Sequence, residues 1–208
     1  MVPTTRAASP RRRRTTSEQQ ILAATMGLLH TGQRLPDIPV HDIIASAGVS
    51  RSTFYQHFPG KTDLAFRIAR PAMDAARATA DQWWANSDWG TQEDMINIVR
   101  ALMAQGREHR LAWLALFDTA DRDPEAAALV EGLVLDYVAQ MAQRIVREQN
   151  VGDWHRSHAT QLARLILITT RACILDQLSH HDSTTDETFS VTLGRVLGQA
   201  VGLSAPDS

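Results

Sequence analysis

The 208 residues hold one cysteine, Cys173, one lysine, Lys61, and two tyrosines. A lone cysteine excludes an intramolecular disulfide framework and any Cys-x-x-Cys motif. No apolar run approaches the ~18 residues of a membrane span. No segment joins a basic stretch, an apolar run and a small-residue cleavage site, so a reduced, cytoplasmic protein is expected. A glycine-rich phosphate loop and a Gly-x-Ser-x-Gly elbow are also missing. Strand and hairpin signals are missing too, and beyond residue 64 the apolar residues recur at helical spacing, so the fold class expected is all-α.

Charge is present but unevenly spread. The whole chain carries 21 Lys+Arg against 23 Asp+Glu, of which residues 1–61 hold eight basic and three acidic, leaving thirteen against twenty for the remainder. A basic end on an acidic body is the layout of a protein that touches DNA with one domain. The run Arg11–Arg14, alone, would read as a solvated tail. Lying just ahead of the first helix, residues 1–16 are expected to be a disordered arm whose arginines, Arg13 and Arg14 among them, track phosphates or a minor groove.

The most informative stretch is Asp42-Ile43-Ile44-Ala45-Ser46-Ala47-Gly48-Val49-Ser50-Arg51-Ser52-Thr53-Phe54-Tyr55-Gln56-His57-Phe58, closed by Pro59-Gly60-Lys61. It reads as two short helices around a tight turn. Gly48 can end the first in the left-handed conformation, Ser50 is a good N-cap for the second, and Phe54 and Phe58, four apart, bury it. The other face carries Arg51, Ser52, Thr53, Tyr55, Gln56 and His57. It is short, polar and rich in hydrogen-bonding groups, which suits a helix entering a major groove. Lys61 starts the next helix, where a cation opposes the helix dipole. It is either a solvent-facing lysine with a small unfavourable dipole contribution or, as the motif around it favours, one that holds a DNA phosphate together with the helix N-terminus.

This stretch resembles the N-terminal helix-turn-helix of the TetR-type transcriptional repressors, over roughly Ser17 to Leu64. Ile21, Ala24 and Leu28 match the stripe of that family's first helix, Ala47-Gly48-Val49-Ser50 its turn, Thr53–Phe58 its recognition helix, and Lys61-Thr62-Asp63-Leu64 the start of its fourth helix. Ile44 stands where the family usually has a small residue. The resemblance implies a helix-turn-helix domain over residues 17–62 and a helical ligand-binding and dimerisation domain over 63–203, with 204–208 a disordered tail and about nine helices in all. Arg51 is the candidate for a bidentate contact to guanine, and Tyr55, His57 and Lys61 for phosphates. His41, Ser50, Ser52, Thr53 and Gln56 complete the candidate DNA surface.

The fourth helix is expected from about Thr62 toward Asn86, kinked or broken at Pro71. Thr91 and Asp94 form a capping box, and Asp123-Pro124 is a helix start. A helix over Trp154–Ser179 and a last one, capped by Thr184–Glu187 and running to about Val201, are both too apolar for one core face each. Gly194, Gly198 and Gly202, four apart, allow close helix approach. They either pack on the preceding helix of the same chain or, as the resemblance implies, help form a four-helix bundle between two subunits. Leu165, Ala172, Leu175, Gly194, Leu197, Gly198 and Val201 are the candidate dimer residues. A homodimer also suits palindromic operator DNA.

Trp83, Trp84, Trp89 and Trp113 are more large aromatics than a small bundle needs for filling. With methionines nearby they describe a pocket for a small hydrophobic or aromatic ligand. Trp84, Met103, Trp113, Phe117, Tyr137, Met141, Arg171 and Cys173 are its candidate residues. Arg171, inside an apolar run, either pairs with an acid across the dimer or balances an anionic effector. The competing class is a helical-bundle metalloenzyme, which needs Glu-x-x-His pairs; none of the seven glutamates has a histidine three residues on. No metal or cofactor is therefore expected.

Overall fold

A computed structural model describes residues 10–84, 90–147, 152–180 and 182–203, with side chains from residue 17 on and without that of Trp84. Helix α1 spans Pro10–His30. Its start falls inside the stretch expected to be a disordered arm, and the reason is local: proline is suited to a first helical position and arginine propagates a helix well. The rest of that arm, and the expected tail over 204–208, lie outside the described residues. A 3-10 turn, Leu35–Asp37, leads to α2, Val40–Ala47. Gly48 ends α2 at φ 63°, ψ 31°, and Ser50 caps α3, Arg51–His57, by accepting a 3.0 Å hydrogen bond from the Thr53 N–H. The turn is built as the sequence predicts. Helix α4, Lys61–Trp84, continues through an exposed Pro71 rather than stopping there.

The body begins with α5, Gln92–Glu108, whose N-terminus has the expected Thr91–Asp94 capping box. Helix α6 is Arg110–Ala120 and α7 is Pro124–Arg147. Asp123 accepts from the backbone N–H groups of Glu125 and Ala126, at 2.9 and 3.3 Å, as a capping residue should. The expected Trp154–Ser179 helix is divided into α8, Asp153–Ser157, and α9, Ala159–Ser179. The division falls at His158, whose φ −113°, ψ 17° leave the helical region and whose ring nitrogen Nδ1 lies 2.8 Å from the Trp154 carbonyl. Helix α10, Asp186–Ala200, completes ten α-helices among the described residues. No side-chain cap bond forms at its N-cap, Thr185. Instead the first-turn acids Asp186 and Glu187 hold Arg107 and Arg100 of α5, at 2.7 and 2.6 Å.

Those ion pairs fix α10 along α5, and the glycines explain how close it lies. A Cβ on Gly194 would stand 2.6 Å from the Ile96 Cα, and one on Gly198 would stand 2.5 Å from the Gln92 amide. Gln92 Nε2 donates to the Gly194 carbonyl at 2.9 Å. Gly194 and Gly198 therefore serve a contact inside the chain, with α5 as their partner rather than α9, whereas Gly202, past the end of α10 at φ 84°, lies beside His155 of α8.

Two apolar clusters result. The first joins Ile21, Leu35, Ile38, Ile43, Phe54 and Phe58 to Leu64, Ile68 and Ala72 of α4, then to Ala112, Ala115 and Leu116 of α6 and Val130 of α7. The second joins Trp83, Met95, Val99, Val138, Met141 and Ile145 to Leu162 and Ile166 of α9 and to Leu193, Leu197 and Val201 of α10. The first half of α4 and the inner face of α6 thus share a core with α1, α2 and α3.

Candidate nucleic-acid interface and ligand cavity

Phe54 and Phe58 are fully buried, which turns the opposite side of α3 outward. Arg51, Ser52, Tyr55 and Gln56 are exposed, and Thr53 and His57 half-buried. The Tyr55 ring stands edge-on to Phe54, 5.3 Å between centroids, and the Arg51 guanidinium lies 5.6 Å above that same tyrosine. Arg51 and Tyr55 are thus held as a pair on one face. The Ser50 hydroxyl, already the α3 cap, also lies 2.8 Å from the Ser52 and Thr53 hydroxyls. His41 is exposed at the start of α2, with Nε2 3.0 Å from Asp42. Arg13 and Arg14 sit in the first turns of α1.

Lys61 departs from the expectation that it chiefly holds a phosphate. Its ammonium donates to the Pro36 and Ile38 carbonyls, at 2.7 and 3.0 Å, and burial pushes its pKa below the ordinary lysine value. The cation closes the 3-10 turn onto α4, because both carbonyls end a short turn that leaves them no partner of its own.

The sequence gives no sign of what ties this head to the body. Arg34 grips Asp118 of α6 with two parallel bonds of 2.9 and 2.6 Å. Arg122 bonds Asp37, and Arg67 of α4 bonds Glu18 of α1. Thr62 donates at 2.8 Å to Asp123, whose carboxylate is held below the usual range first by that bond and then by the α7 N–H groups. The corner between α6 and α7 is therefore clamped to the head at three points. Partners 61 to 85 residues apart carry no local signal that a sequence reading could use.

Between the two clusters lies a cavity of about 340 Å³, walled by α4, α5, α6, α7, α9 and α10. Its volume lies within the range of small-molecule sites. Of the expected ligand residues, Trp113, Phe117, Tyr137, Met141 and Arg171 line it. Trp113 stacks on Phe117 at 5.8 Å, and the Arg171 guanidinium lies 5.5 Å over the Phe117 ring. Burial pushes the Tyr137 hydroxyl pKa up, so it stays a neutral donor. Met103 and Cys173 are away from the lining: Met103 is buried on α5 and Cys173 packs against the second cluster. The Trp84 side chain lies outside the described residues, and its neighbour Trp83 takes the wall position beneath the Arg144 guanidinium, 5.0 Å away. Trp83 belongs to the tryptophan set the sequence pointed to, whereas Met73, Val99 and Ile166 were missed because a lining residue and a core residue share one apolar pattern.

The candidate dimer residues separate into two groups. Leu165 is 64% exposed, Ala172 exposed and Leu175 half-buried, beside Ile168 at 36% and, on α10, Val196 at 53%. Gly194, Leu197, Gly198 and Val201 are buried inside the chain, against α5 and the cavity, and are not available to a second subunit. Helical periodicity had placed both groups on one apolar helix pair, but α5 occupies one side of it.

Among the described residues no group of three or more His, Cys, Asp or Glu is placed to hold a metal, and no helix is long and apolar enough to cross a membrane. Comparison with known proteins adds three findings. The family of bacterial regulatory proteins of the tetR type matches over residues 37–68, the 3-10 turn through the first turns of α4. The HTH-type transcriptional regulator EthR of Mycolicibacterium smegmatis is 26% identical over 132 residues, 64% of this chain and 60% of that protein's length. The solved structure of Salmonella enterica GusR superposes with a TM-score of 0.62 at 17% identity, covering 95% of this chain and 99% of that one, so the two share a fold.

Proposed function

The chain belongs to the tetR family of bacterial regulatory proteins, and from that premise we propose that it is a cytoplasmic homodimeric repressor released from operator DNA by a small hydrophobic effector. The observation that carries this reading is the position of α6. Its Trp113 and Phe117 line the cavity, while Asp118, the next residue, grips Arg34 of the head. A ligand that prefers a shifted α6 therefore pulls on the clamp directly, and α4 transmits the same shift along the shared core. Only a difference in affinity between the two head positions does this work, and ~1–3 kcal/mol is a useful response.

Two heads must sit about one helical turn apart, roughly 34–36 Å, to enter successive major grooves. The exposed apolar face of α9, with Leu165, Ile168 and Ala172, and Val196 of α10 support a dimer. In this reading Arg51 contacts guanine, and Tyr55 and His57 hold phosphates. The test is selection from random duplex DNA by the purified chain, run with sedimentation. An enriched inverted repeat bound by a dimer is expected. Enrichment of a single unrepeated site by a monomer overturns the homodimer reading, and no enrichment at all overturns operator binding.

A further inference from the structure

We infer that the cavity takes an aromatic carboxylate, with its rings against Trp113 and Phe117 and its anionic end on the Arg171 guanidinium. This rests on the cavity being the effector site and adds the chemistry of the effector. Arg171 lies half-buried on α9, in the lining of a mostly apolar chamber, 5.5 Å over the Phe117 ring. A guanidinium does not lose its proton. Among the described residues no carboxylate pairs with it: the ion pairs of the body engage Arg100, Arg107 and Arg164. An unpaired cation beside apolar walls is unfavourable unless an anion joins it.

Thr170, adjacent on α9, supplies a second and independent sign. Its hydroxyl oxygen is buried without a hydrogen-bond partner, and the residue lines the same chamber. Other helical threonines of this chain turn the hydroxyl back to the carbonyl four residues earlier, as Thr25 does to Ile21 at 2.8 Å and Thr119 to Ala115 at 2.7 Å. Thr170 leaves its hydroxyl unpaired in the chamber that Arg171 also lines. The two acids of the lining, Asp74 and Asp136, are both exposed, and Asp74 lies 3.9 Å from Arg70, so they belong to the rim. The aromatic body follows from Trp113 and Phe117, a stacked pair that lines the chamber beside Tyr137 and Trp83.

The experiment titrates the full chain, by calorimetry, with 2-naphthoate, 2-naphthylmethanol and 2-naphthylmethylammonium, one ring system with three charges. The acid is expected to bind at least tenfold more tightly than the alcohol, and the ammonium most weakly. Arg171→Met should abolish the preference for the acid over the alcohol, and measurable binding of the alcohol to that variant shows the cavity intact. Thr170→Val should weaken the acid severalfold. An alcohol or ammonium that equals the acid on the wild-type chain overturns the inference, as does a preference that survives Arg171→Met. Both of those results leave the effector site itself standing. Binding of none of the three overturns site and inference together, whereas acid binding without release of operator DNA removes only the effector role.

Discussion

The two apolar clusters of this chain are built to different tolerances. In the first, Ile21, Leu35, Ile38, Ile43, Phe54, Phe58 and Leu64 are all fully buried, and Lys61 ties off the turn beside them. The second borders an open volume of about 340 Å³ and leaves the Thr170 hydroxyl without a partner. Protein interiors are ordinarily close-packed, and a void removes contacts from the groups that line it. The head must hold α3 at one angle, and a filled core does that. On the function proposed above, the other half changes shape when an effector enters, and a core with a gap has neighbouring arrangements of similar energy. Helix α6 belongs to the first cluster by its inner face and to the cavity by Trp113 and Phe117, so it is where the two tolerances meet.

The largest test of this contrast compares two core truncations. Phe54→Ala should cost about 3–5 kcal/mol in chemical denaturation, since nothing around it can collapse inward. Met141→Ala, on the cavity wall, should cost under about 2 kcal/mol, because one side of the residue already faces open volume. Equal costs break the comparison.

Next in size are two cations of the head. Lys61→Met removes a charged donor from two carbonyls and should lower stability by about 1–3 kcal/mol, while the slope of DNA affinity against salt stays as it was. Arg51→Ala should do the reverse: thermal unfolding unchanged, and base preference relaxed at one position per half-site at a cost of about 1–3 kcal/mol. A salt slope that falls in Lys61→Met restores the phosphate role for that residue.

The clamp gives a smaller effect on stability and a sharper one on coupling. Asp118→Asn breaks a partly exposed pair and should change stability by less than about 1 kcal/mol. If α6 carries the signal, the same change should reduce the difference in operator affinity between the ligand-free and ligand-bound protein. A variant that responds to ligand as the parent does moves the coupling from the Arg34–Asp118 pair to α4 alone.

The smallest effect is in acid. Asp186 lies below its ordinary value of 3.8, chiefly through its bond from Arg107 and also through Gln177. A carboxylate with a depressed folded pKa contributes stability that is complete above the unfolded value and is lost as pH falls through the folded one. The α5–α10 contact should therefore be insensitive to pH between 5 and 8 and weaken below about 4. Asp186→Asn should lower stability at neutral pH and flatten that acid limb in a tryptophan-fluorescence titration.

What the sequence by itself determined lies within a turn or two of chain. Gly48, Ser50, Phe54 and Phe58 specify the corner, its cap and its buried face; Thr91 with Asp94, and Asp123 with Pro124, specify two helix starts. Each is a matter of backbone geometry and hydrogen bonds between residues two to four apart, so it is written locally. Only the tertiary structure decided that Gly194 and Gly198 lie on α5, that Lys61 serves two carbonyls, that Arg34 reaches Asp118, and that Leu197 and Val201 face inward while Leu165 faces out. An apolar stripe states that a helix side will be covered but not by what, and a charge states that it needs a partner but not which one. Those answers depend on where helices remote in sequence cross, and the close approach allowed by two glycines set one of those crossings.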